Sequence, residues 1–157
     1  MKKFGSLRLY NDKPTIIAEA GVNHDCSMLK AFKLISDAKT CGVEAIKFQT
    51  YKSENLVIKN SPAYWDLKKE KTKTQRKLFD KYDKFNFKEY LSIIKECKKK
   101  NINFLTTLFD IDSISLYSKY LPLFKIASAD ITNVPLLKAI SCQKKTCITV
   151  YRRQSIR

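Results

Sequence analysis

The chain has 157 residues, of which 44% are hydrophobic and 29% charged, and its formal net charge is +16 at pH 7. This length and apolar content predict one domain with a packed core and exclude general disorder. No apolar run in the sequence approaches the roughly 20 residues that cross a bilayer. The basic start also lacks the apolar segment of a signal peptide, so we expect a cytoplasmic protein without membrane partners.

The basic residues are spread along the chain, and their two local groups, 68–71 and 95–100, contain or adjoin acidic residues. This pattern favours a solvated lysine-rich surface over a nucleic-acid site, whose binding would depend steeply on salt. The five cysteines lack a C-x-x-C pair, and one histidine gives no zinc spacing. We therefore expect reduced, structural cysteines: Cys26, Cys41, Cys97, Cys142 and Cys147.

The first strand is predicted over 15–20, after a short polar lead formed by residues 1–14. It ends at Gly21 and contains Glu19, a carboxylate inside an apolar run. A buried charge is costly unless it is paired, so Glu19 is either half of a buried ion pair or part of an active site. His24 follows in the loop, where a packing role is more common than metal ligation.

The next elements alternate between helix and strand. A helix over 28–40 is predicted from its apolar spacing, and a second strand follows over 43–50. The long connection 51–75 then carries Tyr64 and Trp65, which we expect to form a hydrophobic lid or a packing element. The remaining predicted elements are helices over 75–82, 87–100, 111–120 and 133–141, and strands over 103–108, 123–127 and 147–150.

Strands that alternate with helices require parallel pairing, either in an open doubly wound sheet or in a barrel. No glycine-rich phosphate loop follows the first strand, which disfavours the dinucleotide-binding sheet. Polar residues at several strand ends are typical of the barrel, which needs about 250 residues. The sequence thus predicts an α/β fold over 15–150: the N-terminal half of a TIM (β/α)8 barrel, with about five parallel strands.

Two lysines, Lys47 and Lys125, would converge at the carboxyl ends of separate parallel strands. Such ammonium groups suit the phosphate or carboxylate of a small anion. The alternative is that they extend into solvent or pair with Glu19 and Asp130. Because Thr106 and Ser128 also stand at strand ends, we favour a shared site.

Several ordered segments resemble the N-acetylneuraminate (sialic acid) synthase family. They are IIAEAGVNHDCSMLKAFKLISDAKTCGVEAIKFQTYKSENL at 16–56, FLTTLFD at 104–110 and KIASADITNVPLLKAI at 125–140. The segment 61–85 is similar to the branch that makes bacterial nine-carbon sugars such as legionaminate. The resemblance implies the condensation of phosphoenolpyruvate with an N-acylated amino sugar, either N-acetylmannosamine or a diacetamido-trideoxyhexose.

The resemblance also implies residue roles. Lys47, Thr106, Lys125 and Ser128 match positions that hold the phosphate and carboxylate of phosphoenolpyruvate. Glu19 matches an acidic residue near the reacting carbons, where it handles a proton, and Lys47 is its catalytic neighbour. Asp130 matches a residue that contacts the amino sugar, and Gln49 lines the same mouth.

In the resembled family, a manganese or magnesium ion polarises the sugar aldehyde, C3 of phosphoenolpyruvate attacks it, and water addition at C2 releases phosphate. The full-length proteins are expected to be homodimers. We expect no metal ligands in this chain, because the family's two metal-binding histidines lie on later strands. A C-terminal antifreeze-like domain is also expected only in the longer proteins.

The basic tail 151–157 does not match the family, which continues with Ser-Thr-Gly after the fifth strand. Tyr-Arg-Arg-Gln can be encoded as TAC AGG CGG CAA, which gives Thr-Gly-Gly when read one base later. We therefore expect a frameshift near Val150, a truncated chain and a fragment that is inactive alone. The nucleotide sequence after Val150 tests this expectation. The alternatives are a non-catalytic anion-binding fragment and a basic nucleic-acid-binding protein.

Overall fold

Residues 13–150 are described in a computed structural model, together with the backbone of two short strands at 2–4 and 7–9 and the side chain of Leu7. The predicted tail 151–157 and the rest of the N-terminal lead lie outside the described residues. The strands are β1 (Lys2–Phe4), β2 (Leu7–Leu9), β3 (Ile17–Gly21), β4 (Ala45–Thr50), β5 (Asn103–Leu108), β6 (Phe124–Ile126) and β7 (Cys147–Thr149). The helices are α1 (Met28–Thr40), α2 (Ser53–Leu56), α3 (Gln75–Tyr82), α4 (Phe87–Lys99), α5 (Ile111–Tyr117) and α6 (Val134–Ser141).

Five strands form one parallel sheet in the order β3-β4-β5-β6-β7, which is also their order along the chain. Each strand therefore pairs with the next, and a helix lies in every connection between them. This is the predicted alternating arrangement, with β3 and β7 as its outer strands. In the described part of the chain, no helix is long and apolar enough to span a bilayer.

Helix starts follow the capping residues in the sequence. The Ser27 side chain accepts a hydrogen bond from the Lys30 amide and begins α1. Asn86 and Glu89 form a capping box at α4. Asp110 accepts from the Ser113 amide at 2.8 Å and begins α5. The predicted helix 111–120 divides, because α5 ends at residue 117 and a 3-10 turn covers 118–120.

Two apolar layers lie on opposite faces of the sheet. The larger one packs the sheet against the helices and contains Ile35, Phe48 and Ile93. The smaller one, which we call the inner floor, consists of four buried residues: Leu7, Ala45, Leu105 and Leu123. The lead 1–14 is therefore more than a polar extension, because β1 and β2 pair antiparallel and Leu7 is fully buried against the sheet.

The long connection 51–75 contains structure that hydrophobic spacing did not predict. It includes α2 and an isolated antiparallel bridge between Pro62 and Thr74. The Trp65 indole N–H donates to the carbonyls of Glu70 and Thr72, both at 3.1 Å. Trp65 is thus the packing element that the sequence predicted, and it holds the connection in place.

All five cysteines are free. Cys97 is buried in the main core and matches the expected structural role. Cys41 and Cys142, which stand at helix ends, are exposed instead. Their positions are the C-terminal caps of α1 and α6, where the side chain projects beyond the packed face.

Candidate functional site

The inner face of the sheet carries two lysines one layer above the inner floor. Lys47 is two residues beyond Ala45, and Lys125 is two residues beyond Leu123. Side chains two residues apart in a strand share a face, and Ala45 and Leu123 both belong to the inner floor. The two lysines therefore lie on one face, in the middle of β4 and of β6 rather than at the strand ends that the sequence predicted.

Glu19 and Lys47 form an ion pair across β3 and β4, where they are opposite each other in register. The Lys47 side chain is 10% exposed, but that of Glu19 is 51% exposed. The expectation of a buried carboxylate is therefore wrong. Because β3 is an outer strand of the sheet, its inner-face side chain is covered from one side only. The pair neutralises a nearly buried ammonium group and leaves the carboxylate open to solvent.

The surroundings of Lys125 disfavour the charged form of its ammonium group. Burial lowers its pKa, and the positive charge of Lys47 lowers it further, whereas Glu19 and Asp130 act in the opposite direction. Two like charges on one face of a sheet disfavour each other's charged state. An anion placed between them removes that penalty, so this part of the inner face is suited to a small dianion or trianion.

Thr106 is the predicted site residue that the structure places elsewhere. Its hydroxyl lies 2.8 Å from that of Thr50, and it alternates with Leu105 of the inner floor, so it faces the helices. The neighbouring Thr107 faces inward and is opposite Lys125 in register. The Thr107 hydroxyl is buried and has no hydrogen-bond partner among the described residues. Thr107 therefore takes the position at the site that the sequence assigned to Thr106.

Gln49 lies beside the Glu19–Lys47 pair, as expected for a residue of the same mouth. At Gly21 the backbone has φ +52°, and a Cβ atom there would lie 3.5 Å from Glu19 Oε1 and 3.9 Å from Gln49 Nε2. Glycine thus permits the left-handed conformation, and both side chains lie at ordinary van der Waals distance from this position. The Tyr90 hydroxyl donates to the Gln49 carbonyl at 2.8 Å and fixes the end of β4.

Ser128 and Asp130 lie in a 3-10 turn, 128–130, directly after β6. Ser128 is half-buried, three residues beyond Lys125. Burial raises the pKa of the Asp130 carboxyl, against opposing effects of a hydrogen bond from Asn133 and of the Lys125 charge. Asp130 Oδ2 is buried without a partner in the described chain. It is therefore an available acceptor close to Lys125.

A cleft of about 350 Å³ opens beside these polar groups. We call it the mouth cleft. Gln49 and Asp130 line it, and most of the remaining wall is apolar or aromatic. The apolar and aromatic wall residues are Tyr51, Leu56, Val57, Tyr64, Phe79, Phe109 and Ala129, and the Gln75 amide is a further polar group of the wall. The sequence offered one signal for this wall, the Tyr64-Trp65 pair, and Tyr64 is 75% exposed over the cleft.

His24 is a packing histidine, as expected. It is fully buried, and its ring stacks on Phe85 with centroids 4.5 Å apart. Its Nδ1 accepts a hydrogen bond from the Cys26 amide at 3.1 Å. Burial lowers the pKa of His24, and the Asp25 charge opposes this shift. The neutral ring thus holds the loop after β3, in which Asp25 and Cys26 both have positive φ.

The divalent ion implied by the family resemblance does not fit the described residues. Among them no three His, Cys, Asp or Glu side chains are grouped as metal ligands. The Glu19 carboxylate is engaged by Lys47, and the His24 ring is packed on Phe85. We therefore derive no chemical step through a metal from these side chains.

Comparison with known proteins identifies the family. A sequence model of the NeuB family matches residues 34–150, which is most of the chain. The chain belongs to the NeuB family. It is 39% identical to the N,N'-diacetyllegionaminic acid synthase of Campylobacter jejuni over 139 residues, or 87% of this chain and 41% of that protein. It is 33% identical to the spore coat polysaccharide biosynthesis protein SpsE of Bacillus subtilis over 80% of this chain and 34% of that one.

A solved structure confirms the fold of this NeuB-family chain. The N-acetylneuraminic acid synthetase of Leptospira borgpetersenii, crystallised with citrate, superposes with a TM-score of 0.77 at 30% identity. The match covers 97% of this chain and 50% of that one. The resemblance to sialic acid synthases is thereby confirmed, and the fold is the half barrel predicted from the sequence. The chain spans about 40% of the length of the Campylobacter relative.

Proposed function

We propose that this NeuB-family chain supplies the phosphoenolpyruvate-binding part of a nonulosonic acid synthase. The proposed reaction joins phosphoenolpyruvate to an N-acyl amino sugar and releases phosphate. The observation that carries the proposal is the placement of Lys47 and Lys125 on one inner face, where the Lys47 charge helps to lower the pKa of Lys125. Phosphoenolpyruvate carries a phosphate and a carboxylate a few bonds apart, so it matches two ammonium groups better than a single anion does.

Each polar residue has a role that its geometry supports. Lys47 and Lys125 neutralise the two anionic groups of the substrate as flexible point charges. The unpartnered Thr107 hydroxyl, opposite Lys125 in register, donates a hydrogen bond to the same anion. Glu19 exchanges its contact with Lys47 for solvent when the anion binds, and its half-exposed carboxylate can then hold or release a proton.

The amino sugar is assigned to the other side of the mouth. Asp130 Oδ2 is an unpartnered acceptor, and the Gln49 amide lies close to Glu19. An acceptor and an amide are suited to the hydroxyl and acetamido groups of a sugar. Both residues line the mouth cleft, so the two substrates would meet where the polar inner face joins the cleft.

The names of the similar proteins support carbohydrate biosynthesis, since they include a legionaminic acid synthase and a spore coat polysaccharide protein. Because the chain matches less than half of their length, we expect it to bind phosphoenolpyruvate without turning it over alone. Release of phosphate by the purified chain, with a divalent metal and an amino sugar present, would contradict this expectation.

Calorimetric titration with phosphoenolpyruvate tests the proposal. We expect saturable binding that a Lys47→Ala, Lys125→Ala double variant weakens by about 100-fold, or roughly tenfold for each charge. A Lys88→Ala, Lys95→Ala variant removes the same charge from the exposed surface of α4 and should bind as the parent does. Equal losses in the two double variants would reject the site.

A second titration separates this proposal from general anion binding. We expect phosphoenolpyruvate to bind about tenfold more tightly than inorganic phosphate, because only the former uses both lysines. Equal affinities for the two ligands would favour a non-catalytic anion-binding fragment. Steeply salt-dependent binding to nucleic acid instead of either ligand would favour the basic surface as the functional part.

A further inference from the structure

The helix α3 has two sides with different chemistry. Phe79 lines the mouth cleft, while Lys77 and Lys81, each two residues away, lie on the opposite side because every residue turns a helix by about 100°. These two lysines line a separate cleft of about 390 Å³, whose other lining residues belong to the segment 70–73. We call this site the lysine cradle, and it consists of Glu70, Lys71, Thr72, Lys73, Lys77 and Lys81.

Glu70 joins the two sides of the lysine cradle. Its carboxylate accepts hydrogen bonds from the Thr72 amide and from the Lys81 ammonium of α3, both at 2.9 Å. The Thr72 hydroxyl donates to the same oxygen and, together with Lys81, lowers the pKa of Glu70 to about 2. The Trp65 indole donates to the carbonyls of Glu70 and Thr72 and holds the segment in place. The cradle is therefore preformed, and its carboxylate is already engaged.

The other three lysines of the cradle keep an uncompensated charge. Lys71, Lys73 and Lys77 are exposed, and none of them forms an ion pair with any residue in the described part of the chain. Four ammonium groups and one carboxylate give the cradle a formal charge of +3. Like charges around one small cleft repel each other, and a bound anion removes this repulsion.

The lining of the cradle indicates the chemical class of that anion. A lysine ammonium is a mobile point charge with three donors, and it is a common ligand of phosphate. The nearby Arg76 guanidinium, which could form a planar pair with a carboxylate, is instead engaged by Asp80 and Glu54. The volume of about 390 Å³ is that of a small-ligand site. A charge of +3 in this volume matches several phosphate groups better than one.

We propose that the lysine cradle binds a small soluble compound with several linked phosphate groups, at a site separate from that of phosphoenolpyruvate. The concave shape and the polar lining favour such a compound over a lipid surface. A membrane-docking surface presents apolar side chains that enter the bilayer, and the residues that line the cradle are lysines, a glutamate and a threonine.

Calorimetric titration with inorganic tripolyphosphate tests the proposal. The intact chain is titrated as the parent and as the Lys47→Ala, Lys125→Ala variant, so that binding on the inner face is separated from binding at the cradle. In that variant we expect saturable binding of one equivalent, about tenfold tighter than that of inorganic phosphate, because only tripolyphosphate offers several phosphates to the lysines. Equal affinities for the two ligands, or no saturable binding, would overturn the proposal.

A triple variant assigns the binding to the cradle. Lys71→Ala, Lys73→Ala, Lys77→Ala removes the three unpaired charges from exposed side chains, so the fold should be unaffected. Tripolyphosphate affinity should fall about 30-fold, or roughly threefold for each exposed charge. Unchanged affinity would reject the site.

The control removes the same charge from another surface. Lys88, Lys95 and Lys99 are exposed and lie along one face of α4, because their spacings of seven and four residues are close to whole helical turns. Lys88→Ala, Lys95→Ala, Lys99→Ala should bind tripolyphosphate as the parent does. Equal losses in the two triple variants would show that net charge alone attracts the ligand, and the proposal would fail.

Two further measurements separate the cradle from the inner face and from a lipid surface. The cradle variant should bind phosphoenolpyruvate with the parent affinity. If the parent binds tripolyphosphate through the cradle but no phosphoenolpyruvate, the proposed function fails and this inference stands; the reverse result rejects the inference alone. Co-sedimentation of the parent with phosphatidylserine vesicles, lost in the cradle variant, would make the cradle a membrane-docking surface and overturn the proposal of a small ligand.

Discussion

Glu19 and Lys47 are register partners on adjacent parallel strands, and their side chains form an ion pair at the mouth of the sheet. The carboxylate competes with an incoming anion for the Lys47 ammonium. We therefore expect Glu19→Gln to bind phosphoenolpyruvate about fivefold more tightly, or roughly 1 kcal/mol. Calorimetry at low ionic strength measures this change. Weaker or unchanged binding would show that the carboxylate does not oppose the anion.

The two neighbouring threonines of β5 form a matched pair of variants. Thr107→Val removes a buried hydroxyl without a partner in the described chain, so stability should stay within about 0.5 kcal/mol. Phosphoenolpyruvate affinity should fall about fivefold, because a donor to the anion is lost. Urea unfolding and calorimetry provide the two measurements.

Thr106→Val should behave in the opposite way. It breaks the hydroxyl contact with Thr50 at 2.8 Å and should cost about 1 kcal/mol of stability. Phosphoenolpyruvate affinity should not change, because the side chain faces the helices. If Thr106→Val weakened binding more than Thr107→Val, the placement of the two hydroxyls would be contradicted.

The reactivity of Lys125 follows from its electrostatic surroundings. Burial and the Lys47 charge lower its pKa, so a larger fraction is the free amine at a given pH. Competitive acylation, read out by mass spectrometry across pH, should titrate Lys125 below the ordinary lysine range. Phosphoenolpyruvate should move that titration upward. An unstructured lysine peptide serves as the reference. The prediction fails if Lys125 titrates with that peptide or above it.

The buried His24 predicts an acid dependence of stability. Its pKa is lowered by burial, so below about pH 6.5 the unfolded chain binds a proton that the folded chain does not. Stability is complete above that pH and falls as the pH decreases toward the folded value, by up to about 1.4 kcal/mol per unit. Urea unfolding between pH 5.5 and 7.5 measures the slope.

His24→Asn is the control for this slope. Asparagine does not titrate, and its side-chain oxygen can accept the Cys26 amide proton in place of Nδ1. The variant loses the stacking on Phe85 and should be less stable at every pH, but its stability should be flat over the same range. Since the chain contains one histidine, an undiminished slope in the variant would exclude His24 as its origin.

The sequence predicted which strands carry Lys47 and Lys125 because each lysine follows a clear apolar strand residue by two positions. It misassigned the hydroxyl of β5 for an equally physical reason. Five of the six residues of that strand are buried, and a strand buried on both faces shows no polar alternation. Because Thr106 and Thr107 are adjacent, an error of one residue exchanges the hydroxyl that faces inward with the one that faces the helices. The register between β5 and β6 decides between them, because Thr107 is opposite Lys125.

Helix starts were predictable because capping is local chemistry, as at Asn86 and Glu89. The mouth cleft was not predictable. Its wall joins Leu56, Phe79 and Phe109, which are distant in sequence and carry no common period. The role of Leu7 was also missed, because a single apolar residue in a short lead does not reveal what it packs against.

The agreement between strand order and chain order bears on how the protein is made. Each strand that emerges from the ribosome finds its partner already synthesised as the previous strand, so pairing within the sheet does not have to wait for later parts of the chain. The inner floor is the exception. Leu7 is synthesised early, but Leu123 emerges more than 100 residues later. The packing of Leu7 against Leu123 therefore forms only after most of the chain has been synthesised. We expect the inner floor to be among the last parts of the core to form.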